Sequence, residues 1–152
     1  MPPHDPGGDT PEHFPRETHP PESPSDVSQA LNRATQLKAT VGVLSSGHIM
    51  NFPGAIHDEI CFGPSCRVEE LAAKLKEVNR FFPHGNSPMV GSAGYLLVGG
   101  QGWGATSQGW ITKIEMVVPD GRTAVASRTE KQDLFWAARR GGLFFFAVVT
   151  RF

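Results

Sequence analysis

The chain has 152 residues, with 14 Lys+Arg against 15 Asp+Glu, so length and charge fit one domain and exclude both a large two-domain enzyme and a polybasic binder. Two cysteines exclude a disulfide scaffold. The 39% apolar share, brought to about half by the 17 glycines, is ordinary for a globular protein and excludes overall disorder.

The N-terminus has neither a basic start nor an apolar h-region, so no signal peptide is expected and the chain reads as intracellular. The longest apolar run, Leu143 to Val149, is far shorter than the roughly 20 residues that span a bilayer, so no membrane partner is expected. Residues 1–23 hold seven prolines, five acids and, among large apolar groups, only Met1 and Phe14. That composition cannot offset an ordering entropy of roughly 1–2 kcal/mol per residue, so a disordered leader is expected over 1–23, with the folded domain over 24–152.

From Ser25 the pattern changes. Val27, Ala30, Leu31, Ala34 and Leu37 recur at helical spacing, with Ser25 or Asp26 available as cap. A short strand, Thr40 to Ser45, and a glycine turn, Ser46-Gly47-His48, follow. Cys61 and Cys66 form a lone C-x4-C without further cysteine or histidine ligands, so no metal site is expected. A second helix carries Val68, Leu71, Ala72, Leu75 and Val78 as its apolar stripe. Ile111 to Val118, the turn Pro119-Asp120-Gly121 and Arg122 to Ser127 predict a β-hairpin. A short helix over Asp133–Arg139, opened by Asp133 as its own cap, then leads through Gly141-Gly142 to a strand over Phe144–Thr150. Nothing after that strand covers it, which predicts self-association through an exposed terminal edge. Trp103, Trp110 and Trp136 are expected to pack in the core.

Seven glycines fall between Gly91 and Trp110. Glycine opens positive φ and removes the Cβ, which lets backbone N–H groups approach a phosphate or a flat ring, so a large anionic cofactor is the natural ligand. Gly100-x-Gly102-x-x-Ala105, after a strand-like Tyr95 to Val98, matches the dinucleotide fingerprint in form. Its context argues against a Rossmann site, because Thr106 to Trp110 offers no apolar periodicity for the required helix and Asp120 is taken by the turn.

Six segments in order then resemble the FAD-linked oxidases of the vanillyl-alcohol oxidase and berberine-bridge-enzyme family, over about Pro24 to Phe152. Pro24 to Leu31 resembles the opening helix, and Val43-Leu-Ser-Ser-Gly-His48 the pyrophosphate loop V-R-S-G-G-H. Phe82-Pro-His-Gly85 leads into the glycine stretch; Pro119-Asp-Gly-Arg122, Asp133-Leu-Phe-Trp-Ala137 and Phe145-Phe-Ala-Val-Val-Thr150 resemble A-D-G-R, D-L-F-W-A and F-G-V-V-T. Leu44 and Ser46 depart from the loop pattern, and Ser87 stands where bicovalent members place a flavin-linking cysteine.

The resemblance implies an α+β fold, a partial PCMH-type FAD-binding domain with a mixed sheet and short helices, and no substrate domain within these 152 residues. It implies FAD as cofactor, with His48 as the covalent link where one forms, Ser45, Ser46 and Gly47 as the pyrophosphate turn, and Gly91, Gly94, Gly99, Gly100 and Gly102 as the cofactor-facing loop. It also implies oxidation of a small organic substrate, such as a secondary metabolite, by hydride transfer to flavin. The catalytic base stays unassigned: Tyr95 reads as packing and His84 as part of the turn Pro83-His-Gly85. A truncated FAD-binding module or gene remnant without turnover is the alternative. Nucleic acid is not an expected partner, since cations and acids balance and only Arg139-Arg140 are adjacent.

Overall fold

The computed structural model describes residues 21–39, 41, 59–102 and 105–152. In chain order these form α1 (Pro24–Leu37), α2 (Val68–Glu77), α3 (Ser92–Leu97), β1 (Gln101–Gly102), β2 (Ala105–Thr106), β3 (Lys113–Val117), β4 (Thr123–Ser127), α4 (Gln132–Arg140) and β5 (Val148–Arg151). Two 3-10 turns, Ser107–Trp110 and Gly142–Phe144, complete the order. The leader up to residue 20, the strand expected over Thr40–Ser45 and the Ser45–His48 turn lie outside the described residues, apart from Val41.

The hairpin forms where the turn chemistry places it. Gly121 adopts φ +82°, its N–H donates to the Val118 carbonyl at 2.8 Å, and Asp120 accepts from the Arg122 backbone and guanidinium. β3 pairs antiparallel with β4, setting Ile114 opposite Ala126 and Met116 opposite Ala124, all four buried. On its other side β3 pairs antiparallel with β5, with a bulge between Glu115 and Met116. α4 packs on this sheet through Phe135 and Ala138, which share one core with Ile114, Met116, Leu71, Leu75 and Leu96. Large side chains such as Phe135 and Leu71 each contribute about 1.5–3 kcal/mol by leaving water.

α2 and α3 begin against one another. The Val68 and Glu69 N–H groups donate to the Val90 and Pro88 carbonyls, while those of Ser92 and Ala93 donate to Cys66 and Pro64. Each helix start is thus capped by the loop that leads into the other, which satisfies donors no side chain reaches.

Several expectations shift. The cap of α1 is Ser23, not Ser25 or Asp26: Asp26 sits at N3 and its carboxylate accepts the Ser23 N–H at 2.9 Å, a reciprocal box that places Pro24 at the first helical position. Of the α1 stripe only Val27 is fully buried, and Leu37 is exposed. Likewise Val78 ends the α2 stripe in solvent. Asp133 does not cap α4, which starts one residue earlier after Lys131 at φ +45°; Ser127 organises the approach by accepting the Thr129 and Glu130 N–H groups.

Tyr95 to Val98 is helix and turn rather than strand, because α3 ends on Gly99 (φ +106°) and Gly100 (φ +59°), whose N–H groups close onto the Leu96 and Tyr95 carbonyls. The last strand is Val148–Arg151, not Phe144–Thr150. Gly142 at φ +54° starts a 3-10 turn that projects Phe144 into solvent. Nor is the end of that strand bare, since Phe152 exchanges two backbone hydrogen bonds with Phe62 (3.0 and 2.9 Å) and stacks on its ring at 5.5 Å. Trp110 and Trp136 are more than 60% exposed, against the packing role expected of them; the Trp103 side chain lies outside the described residues.

Candidate functional site

Three segments distant in sequence meet at Ser107, which is completely buried. Its hydroxyl donates to the Pro83 carbonyl, its oxygen lies 2.8 Å from the Tyr95 hydroxyl, and its N–H donates to the Gly100 carbonyl at 2.7 Å. The turn before Gly85, helix α3 and the β1–β2 pair are thereby joined at one side chain. His84 serves the turn, its Nδ1 lying 2.8 Å from the Gly85 carbonyl, and Tyr95 is half-buried with its ring against Gly85.

The glycines divide by what surrounds them. A Cβ on Gly102 would lie 2.6 Å from the His84 carbonyl and 2.9 Å from the Tyr95 hydroxyl, and one on Gly100 would lie 2.9 Å from the Ser107 Cβ. These two glycines let the protein close on itself. Gly99 differs: its positive φ requires glycine, yet among the described residues the space beside it holds only the Gln108 amide, 3.9 Å from the position of a Cβ. The Gln108 side-chain oxygen is buried and has no hydrogen-bond partner among the described residues. Gly94 is exposed in α3, and Gly91 precedes that helix, bridged to Arg67. The structure therefore gathers Gly99, Gly100 and Gly102 around Ser107, with Gly91 and Gly94 at and within the preceding helix.

Guanidinium groups hold the carbonyl side of the 107–110 turn. Arg128 donates to the Gly109 carbonyl at 2.5 Å and Arg139 to the Gln108 carbonyl at 3.5 Å, while Arg139 also lies 4.3 Å over the Phe135 ring. Burial, then the like charges of Arg128 and Arg140, lower the Arg139 pKa from the usual arginine value. Ser87 is exposed, and both described cysteines are free thiols. Among the described residues no group of three or more His, Cys, Asp or Glu side chains is placed to hold a metal, and no helix is long and apolar enough to cross a membrane.

The composition of this centre fits a flat cofactor ring: a glycine with open space at its α-carbon beside a buried amide oxygen still lacking a donor. Ser107 and Gln108 were not singled out from the sequence, where Thr106 to Trp110 showed no periodicity. The burial of Ser107 depends on Pro83 and Tyr95, and no local pattern announces it.

No family model matches the chain. The FAD-linked oxidoreductase nodO of Hypoxylon pulicicidum is 32% identical over 169 residues, covering 95% of this chain and 38% of the relative. The xylooligosaccharide oxidase of Thermothelomyces thermophilus is 42% identical over 84 residues, covering 52% of this chain and 17% of the relative. Among solved structures, the glucooligosaccharide oxidase of Acremonium strictum matches with a TM-score of 0.78 at 24% identity, over 87% of this chain and 33% of that one. That enzyme carries a 6-S-cysteinyl, 8α-N1-histidyl FAD. The chain belongs to the family of FAD-linked oxidoreductases of the vanillyl-alcohol oxidase and berberine-bridge type, and its fold is part of that family's FAD-binding domain. It spans 38% of nodO and 33% of the solved oxidase.

Proposed function

We propose that this chain is the flavin-holding part of an oxidoreductase that oxidises a small organic substrate. The observation that carries the reading is the 32% identity over 95% of the chain to an FAD-linked oxidoreductase, supported by the open glycine and orphan amide at Gly99 and Gln108. When bound, FAD supplies the two-electron acceptor for a substrate C–H. The chain's own residues bind and orient it. Gly99 presents backbone without a side chain while Gly100 and Gly102 close the fold behind it, Gln108 offers a carboxamide to the ring edge, and Ser45, Ser46 and Gly47 form the pyrophosphate turn. His48 is the tether, and with Ser87 in the position of the second link, attachment runs through His48 alone.

The 38% coverage of nodO favours a second reading for the 152 residues taken by themselves, a module that binds flavin without turnover. One experiment addresses both. A visible spectrum from about 300 to 550 nm, where flavins absorb, is recorded on the purified chain, on its acid-precipitated pellet and on His48→Ala. Flavin bands held in the pellet and lost in the variant are expected, and bleaching by an added substrate then separates turnover from binding alone. A colourless protein that takes up no FAD sinks both readings.

A further inference from the structure

We propose that Tyr95 and Ser107 are positioning residues, a hydrogen-bonded clamp that fixes Gln108 beside Gly99 so that its carboxamide makes a polar contact with the bound flavin. The clamp stands on geometry alone. Ser107 is anchored through its hydroxyl to Pro83 and Tyr95 and through its N–H to Gly100, and the glycines at 100 and 102 leave no room for a Cβ between the joined segments. Gln108 is the next residue along. Its main-chain carbonyl accepts from Arg139, so its backbone is held from both ends while its buried side-chain oxygen is left without a donor. A buried acceptor without a partner costs about 1–3 kcal/mol, a penalty that a ligand bringing its own N–H removes. The ligand contact rests on the flavin reading; the clamp does not.

The test uses the purified 152-residue chain and two readouts. Tyr95→Phe keeps the ring and removes one hydroxyl, and the Ser107 amide is expected to exchange with solvent about tenfold faster, as the loss of one hydrogen bond predicts, while amides of β3 and β4 exchange as in wild type. Ser107→Ala should do the same, and Tyr95→Phe decides the matter if that variant fails to fold. FAD is then titrated into His48→Ala, which cannot be linked to it, and into the double variant His48→Ala, Gln108→Leu; about tenfold weaker binding and an altered visible band of the bound flavin are expected in the double variant. An unchanged Ser107 exchange rate overturns the clamp. Unchanged affinity and spectrum in the double variant overturn the contact. A wild type that takes up no FAD removes the contact together with the reading it rests on, and the exchange rate alone then judges the clamp.

Discussion

Cys66 shows how one side chain couples packing to pH. Its carbonyl caps α3 and its thiol is buried; that burial first, and the Glu70 carboxylate second, push the thiol up from 9.0 to about 11. The native state therefore keeps a proton that the unfolded chain releases above about pH 9. The contribution of Cys66 to stability is whole below that pH and falls as pH rises through about 11, by a total of about 3 kcal/mol. Urea midpoints between pH 8 and 10.5 should fall more steeply in wild type than in Cys66→Ala; parallel slopes would contradict the assignment. None of this is legible in the spacing of Cys61 and Cys66, because burial of the second depends on α2 and α3 meeting.

At the scale of elements, local patterns predict α2 and the hairpin but misplace the caps of α1 and α4 by two or three residues. α2 and the β3–β4 hairpin follow from a 3.6-residue stripe and a Pro-Asp-Gly turn, both complete within a few residues of sequence. Tyr95 to Val98 is β-like in composition and predicts a strand, whereas the start of α3 is set by Pro64 and Cys66 and its end by two left-handed glycines. Composition likewise predicts Phe144 in the last strand, and the Gly142 turn moves it out. α1 holds by its cap more than by its stripe, with Val27 its single buried residue. Ser23→Ala should cost about 1 kcal/mol and speed amide exchange in α1 while leaving β3 and β4 unchanged; equal exchange in α1 would show that the cap contributes nothing.

For the whole molecule, the apolar groups left outside the core matter most. Phe144 is 94% exposed, Phe146 and Val98 are more than half exposed, and Val98 lies beside the Gly142 turn that carries Phe144. Soluble monomers rarely leave such a surface uncovered. We predict concentration-dependent association in sedimentation velocity, reversed toward monomer by the double variant Phe144→Ser, Phe146→Ser. A wild type that stays monomeric at every concentration, or a variant that associates equally, would rule this surface out. The glycine-rich centre stands out in the sequence by its composition, but which of its glycines serve the fold does not, because Gly100 is required by Ser107 and Gly102 by His84 and Tyr95.

The crossed capping of α2 and α3 reaches furthest through the fold. Since Pro64 and Cys66 serve one helix start while Pro88 and Val90 serve the other, fraying at either end strands the donors of both, and the two helices melt as one cooperative unit. The connection from Val78 to Ser87 is tied separately, by Pro83 to Ser107 and by Gly85 against the Tyr95 ring. Added length at the exposed Asn86 then carries mainly a loop-closure penalty, about 0.6 kcal/mol for each doubling, so this connection can vary in length while the glycine-bearing half stays in register with the first.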